Sequence, residues 1–218
     1  MDMSNMVEEE DVSSAAPIFL AVAGQSDEVK PTRREQIKEA ALSLFAERGY
    51  QGTSMEAIAR RVGVRASSLY NHIDSKQELL VEIMMATMED LIAGFQYATL
   101  NGSLVDKLRR AMEAHVYYHA QHQPEVRVGN GELLRLEEPA RSAVIDLRSR
   151  YAMMWQKLIE SGQQEGAFRM PSAQLATYAL LEMGIGVSLW YRADGPLSLE
   201  YIASVYAEMA AHLLGLGT

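Results

Sequence analysis

Arg65, Ser67, Ser68, Tyr70, Asn71 and His72 crowd into eight consecutive positions, and every one of them carries groups that can hydrogen-bond to a duplex. A guanidinium reaches guanine or phosphate, a carboxamide pairs with adenine, and hydroxyls donate to phosphate oxygens. Leu69 and Ile73, four apart, would anchor a short helix inward and turn the six polar residues outward. Just upstream, Met55, Ile58, Ala59 and Val62 form the inward face of another short helix, Gly63 breaks it, and Val64 plugs the turn into the core. Taken singly, Arg65 or Asn71 would pass for a solvated surface residue. The arrangement carries the reading, because a helix this short buries too little to justify itself and makes sense as something inserted into a groove.

These elements need a scaffold, and from Thr32 onward the chain reads helical. Ser or Thr followed three residues later by an acid marks capped helix starts at Thr32 with Glu35, Thr53 with Glu56, Ser75 with Glu78 and Ser103 with Asp106. Ile37, Ala40, Ala41, Leu44 and Phe45 line the first helix, and Gly49 is expected as its left-handed stop. Later helices are expected from about Ser75 to Leu100, Ser103 to Gln121, Pro139 to Gln164, Ser172 to Tyr191 and Ser198 to Leu214, with a broken piece around Glu125 to Leu136. With no strand pattern, the fold class is all-α: an N-terminal three-helix helix-turn-helix domain and a larger C-terminal helical domain. The expected divisions are an acidic arm over residues 1–31, read as mobile, a reading domain over 32–78 and an effector-binding and dimerisation domain over 79–218.

Composition narrows the function. The chain has 218 residues and no cysteine, which removes disulfides, cysteine nucleophiles and Cys-ligated zinc. No apolar run is long enough to span a membrane and the opening residues are acidic, so the cytoplasm is the expected compartment. The net charge of −9 disfavours a nonspecific DNA-coating protein, but it is unevenly spread. Residues 1–29 contribute −7, residues 30–78 contribute +3 and residues 79–218 contribute −5. Screening over about 10 Å lets the basic stretch meet phosphate despite its acidic surroundings. Phosphate loops, nucleophile motifs and metal-binding helices are missing from the sequence, so an enzyme and a cofactor are not expected.

Over roughly Thr32 to Leu80 the chain resembles the TetR family of transcriptional regulators. The matching residues are Phe45, Gly49 to Thr53, Ile58, Ala59, Gly63, Val64, Leu69, Tyr70, His72, Ser75, Lys76 and Leu79. The resemblance implies that Thr53, Tyr70, His72 and Lys76 bind backbone phosphates, that Arg65, Ser67 and Asn71 read bases, and that Ser68 does one or the other. Two positions depart from the pattern: Ile73 stands where Phe is common, and Ser67 where Gly is frequent. The first preserves the core; the second alters the operator that is read. The resemblance further implies a homodimer built on the last two helices, a double-stranded palindromic operator, and a small-molecule effector that releases a repressor; an activator of the same fold is the alternative.

Leu175, Ala179, Leu180, Met183, Val187, Val205, Met209 and Leu213 make those last helices apolar on more than one side, with Gly184, Gly186 and Ser188 expected to permit close approach. A candidate effector pocket is formed by Met112, His115, Val116 and His119 on one helix and Tyr151, Met154, Trp155 and Leu158 on another, with Met183 beside them. Core packing accounts for such stripes equally well. His115 and His119 also have metal-chelating spacing, but no third ligand accompanies them and no metal is expected. The segment Trp190 to Ser198, WYRADGPLS, is similar to one in TetR-type regulators of lipid and sterol catabolism, which implies an acyl-coenzyme A thioester or an apolar carboxylate as effector.

Overall fold

The computed structural model describes residues 30–216; the expected N-terminal arm lies, but for its last two residues, outside them. The described chain is all helical: α1 (Arg33–Arg48), α2 (Met55–Val62), α3 (Ala66–Leu69), α4 (Lys76–Ala98), α5 (Leu104–Gln121), α6 (Gln123–Glu132), a 3-10 turn (Leu133–Arg135), α7 (Ala140–Gln164), α8 (Ala173–Trp190) and α9 (Leu199–Leu213).

The caps explain most boundaries. Thr32 with Glu35 and Ser103 with Asp106 close full capping boxes at α1 and α5. Two expected caps differ. At α2 the cap is Ser54, whose hydroxyl accepts the Ala57 N–H at 3.2 Å. Thr53 is instead buried, its hydroxyl 3.1 and 3.0 Å from the carbonyl oxygens of Leu44 and Gly49, which bind its proton more locally than a cap would. At α4 Ser75 accepts the Glu78 N–H, but the Glu78 carboxylate reaches back one residue further, to the Asp74 N–H at 2.7 Å. Gly63 ends α2 in the left-handed region (φ 76°, ψ 31°), whereas Gly49 ends α1 at φ 76°, ψ 161°, a region that is also essentially restricted to glycine but is not the left-handed helical stop expected there.

Two cores are strung along α4. Leu79, Leu80, Ile83 and Met84 complete a head core with Ile37, Phe45, Ile58, Leu69 and Ile73; one turn on, Met88, Leu91, Ile92 and Phe95 enter the body core with α5, α7, α8 and α9. The expected division between residues 78 and 79 therefore falls inside a continuous helix. Val128, Leu136 and Val144, from α6, the turn after it and α7, also pack into the head core, so head and body share apolar surface. Each fully buried Leu or Ile there contributes about 1.5–3 kcal/mol. The central body helix is α5, packed against α4, α8 and α9.

Candidate DNA-reading head and effector core

Leu69 and Ile73 are buried, while Arg65, Ser67, Ser68, Tyr70, Asn71 and His72 are all exposed. The helix that presents them is a single turn, Ala66–Leu69, continued by tight turns in which the His72 and Ile73 N–H groups both donate to Leu69 O. Leu69 anchors this turn in the head core, and Arg65 occupies the N-cap position without a side-chain cap bond.

Thr53 and Lys76 sit differently. The Lys76 ammonium donates to Tyr50 O and Thr53 O, both at 2.7 Å, and lies 4.2 Å from the Tyr50 ring centroid, while burial pulls its pKa down. Both residues brace the turn between α1 and α2. Tyr50 is the knot of that brace, with its N–H donating to a Glu132 carboxylate oxygen at 2.9 Å and its hydroxyl 2.9 Å from Gln77. Arg34 ties the other side, donating to His72 O at 2.6 Å and pairing with Glu78 and Glu82. Sequence reasoning missed Arg34, Gln77 and Glu132, whose partners lie dozens of residues away. Tyr50 fell within the recognised Gly49 to Thr53 segment, but its contact to α6 left no local signal.

In the body, the anticipated pocket residues do converge. Met112, His115, Val116, His119, Tyr151, Trp155 and Leu158 are buried together, and Met154 and Met183 pack half-buried against the same core. His115 Nε2 lies 3.1 Å from Leu181 O, a pure acceptor, so that nitrogen carries the proton. Nδ1 is then bare and accepts the Tyr151 O–H at 2.9 Å. His119 Nδ1–H donates to His115 O at 2.7 Å. Phe95, overlooked in the sequence because it belongs to the ordinary apolar stripe of α4, meets Tyr151 edge-on and Trp155 at a tilt, with ring centroids 6.1 and 5.2 Å away. Among the described residues three buried polar atoms make no hydrogen bond of good geometry: Arg109 Nε, which pairs with a Glu208 carboxylate oxygen at 2.8 Å, Trp155 Nε1, which stands against the Tyr151 hydroxyl, and Thr177 Oγ1. No group of three or more metal-ligating side chains occurs among the described residues.

Burial holds both histidines neutral, His115 well below the usual value of 6.5 with the neighbouring His119 adding to the effect, and His119 down to about 4. Below pH 6.5 the unfolded chain therefore takes up protons that the folded one refuses, and stability is lost as pH falls toward the folded value. Going from pH 7 to pH 5 is expected to cost about 2 kcal/mol per histidine. Asp90 and Glu113, whose carboxyls desolvation pushes up, act in the opposite sense. Urea unfolding of wild type and His119→Gln at the two pH values isolates one histidine; an identical pH dependence in the two proteins would contradict the assignment.

Gly184 faces inward. A Cβ placed there would stand 2.1 Å from His115 Cδ2, so the glycine lets α8 lie on the imidazole rather than on a partner chain, as was expected of it. Ser188 is likewise buried, its hydroxyl donating to Ile185 O. Gly184→Ala is expected to destabilise the fold by about 1–3 kcal/mol, read by urea unfolding; an unchanged midpoint would show that His115 is not held as described.

The outer faces of α8 and α9 are apolar yet uncovered. Leu175, Tyr178, Leu189, Tyr201 and Met209 are exposed, Leu189 by 86%, whereas Leu180 and Val187 point into the core. The two-sided apolar pattern is thus divided residue by residue between an inner and an outer face.

A glycine-broken helix pair presenting polar side chains on a buried apolar anchor, fused to a helical body, defines a helix-turn-helix DNA-binding regulator. Residues 37–83 match the family of bacterial regulatory proteins of the tetR type, and residues 101–214 match the tetracyclin repressor-like C-terminal domain. The chain belongs to the TetR family. It is 31% identical over 194 residues to the HTH-type transcriptional repressor KstR2 of Mycobacterium tuberculosis, covering 85% of this chain and 92% of that protein. The KstR2 structure from the same organism superposes with a TM-score of 0.77 at 26% identity, covering 83% of this chain and 94% of that one. The structure of AibR in complex with isovaleryl coenzyme A and operator DNA matches with a TM-score of 0.73 at 26% identity, covering 84% of this chain and 98% of that one. No described helix is long and apolar enough to cross a membrane.

Proposed function

We propose that this chain is a homodimeric repressor that sits on a palindromic operator in the cytosol and leaves it when the body binds an acyl-type effector. The single observation that carries the reading is the exposed polar set on α3 and the turns that flank it, Arg65 to His72, held by Leu69 and Ile73. Arg65, Ser67 and Asn71 read base edges, and Ser68, Tyr70 and His72 meet phosphates. Lys76 keeps one N–H of its ammonium for a phosphate while the other two hold the turn; Thr53 is dropped from the contact set because its one hydroxyl proton is spent on Leu44 and Gly49.

The uncovered face of α8 and α9 is where a second copy docks, burying Leu175, Tyr178, Tyr201 and Met209. Release works through α4, which is shared by both cores, and through the Glu132–Tyr50 contact. An effector that spreads the body shifts the two heads from the spacing of about 34–36 Å that successive major grooves require. An acyl thioester is favoured by the coenzyme A ligand of AibR and by the Trp190 to Ser198 segment. Selection of bound fragments from a random DNA pool, with and without acyl thioesters, tests the whole reading. A recovered palindrome lost on addition of a thioester supports it; recovery of fragments without a shared motif refutes it.

A further inference from the structure

Residues 1–29 hold seven carboxylates and no Lys or Arg, and four of the seven are consecutive: Glu8, Glu9, Glu10 and Asp11. The regulator reading leaves them without a task. Their place in the chain is also an unfavourable one for a DNA-binding protein, because negative charge beside a phosphate backbone opposes association.

The structure shows where this segment meets the head. The described residues begin at Lys30, and Pro31 is held against the first turn of α1, its carbonyl oxygen accepting the Gln36 side-chain N–H at 2.9 Å. The same turn lies beside the end of the reading element, since Arg34 donates to His72 O at 2.6 Å. The acidic segment is therefore joined to the rim of the surface that Arg65 to His72 present.

That surface carries cations with little to oppose them. Arg33, Arg60 and Arg65 are exposed, and none of the three has a carboxylate of a described residue within ion-pair distance, whereas Arg34 pairs with Glu78 and Glu82, and Arg61 with Glu47. Between Gly63 and Ser75 the one acid is Asp74. Consecutive acids on an extended chain carry one charge per about 3.3–3.6 Å, close to the roughly 3.4 Å per charge along one strand of DNA. Twenty residues separate Asp11 from Pro31, enough to reach up to about 70 Å, many times the length of a one-turn helix of about 6 Å. Such a tether holds the acids at an effective concentration of the order of millimolar beside their target.

On the reading that this head binds DNA, we propose that the acidic run Glu8 to Asp11 docks on the reading head of its own chain, over cations that include Arg33 and Arg65, and has to be displaced by any duplex that binds. The run stands in for phosphate. Each exposed ion pair is weak, so the head is held in check rather than closed. Operator and scrambled duplex are disfavoured by the same factor, because both must displace the run, and the device sets the protein concentration at which DNA is occupied.

The test uses the full chain. Glu8→Gln, Glu9→Gln, Glu10→Gln and Asp11→Asn combined are expected to tighten binding to the selected palindrome and to a scrambled duplex alike, by about tenfold at about 50 mM salt, with the difference gone at about 0.5 M. Contact is read separately, without DNA. The chain has no cysteine, so Ser13→Cys accepts a single nitroxide label beside the acidic run. That label should broaden the amide signals of Arg33 and of Ser67 to Asn71, leave Ala207 on α9 sharp, and lose its effect when operator or about 0.5 M salt is added. Unchanged affinity in the fourfold variant overturns the proposal. So does tighter binding without broadening at the head, which would mean that the acids only repel DNA from a distance. Failure of wild type and variant alike to bind any duplex would strike the regulator reading instead, and the label would still decide whether the run docks.

Discussion

Leu175→Asp combined with Met209→Asp is expected to turn the protein into a folded monomer and to weaken operator binding by about 10²–10⁴-fold. Both side chains are exposed on the single chain, so their replacement leaves its core untouched. They lie at opposite ends of their helices, and the bond from Arg169 N–H to Leu214 O shows that the start of α8 and the end of α9 are neighbours. Aspartates at both positions would bring four carboxylates into the interface between two copies, adding desolvation and like-charge repulsion to lost apolar burial. The large effect on DNA follows from bivalency: each one-turn reading helix binds weakly, and the second head is effective only because the first holds it close. Sedimentation and fluorescence anisotropy on labelled operator read the two effects. A double variant that stays dimeric would show that another surface makes the dimer.

Asn71→Ala should lower affinity for the selected operator by about 1–3 kcal/mol at one base pair and flatten the preference there. Tyr70→Phe should instead weaken all duplexes alike and make binding less steeply salt-dependent only if a charged neighbour is disturbed with it. The contrast matters because the two residues are adjacent and both exposed, so a merely structural disturbance of α3 would affect them equally. Binding to operators varied one base pair at a time separates the outcomes. Unaltered sequence preference in Asn71→Ala would remove that residue from base readout.

The reading head was legible because its signals are local. The Leu69 and Ile73 anchors, the Gly63 turn and the polar run between Arg65 and His72 are all set within the eleven residues from Gly63 to Ile73, and the structure buries the anchors and exposes the polar run as their spacing demands. Capped starts located α1, α5, α8 and α9 closely for the same reason. What sequence did not show depends on distant partners. Thr53 looked like an N-cap and is a buried brace, because Leu44 O and Gly49 O come within reach only when α1 folds over the turn. Gly184 looked like a residue for close contact between chains and instead receives His115, a neighbour 69 positions earlier in the chain. The pocket residues Met112 to Leu158 were recognised as two stripes, but the hydrogen-bond order among Tyr151, His115 and Leu181 requires α5, α7 and α8 to be side by side.

The proposition beneath all of this is that α3 is a groove-reading element used in pairs. Measuring the mass of the complex formed by the full chain on its selected palindrome, alongside affinity for that palindrome and for a scrambled duplex of equal length, tests it at one stroke. Two copies, or a multiple of two, on the palindrome, with affinity at least about 10³-fold above the scrambled duplex at physiological salt, is the predicted result. One copy per site, or equal affinity for both duplexes, would contradict it.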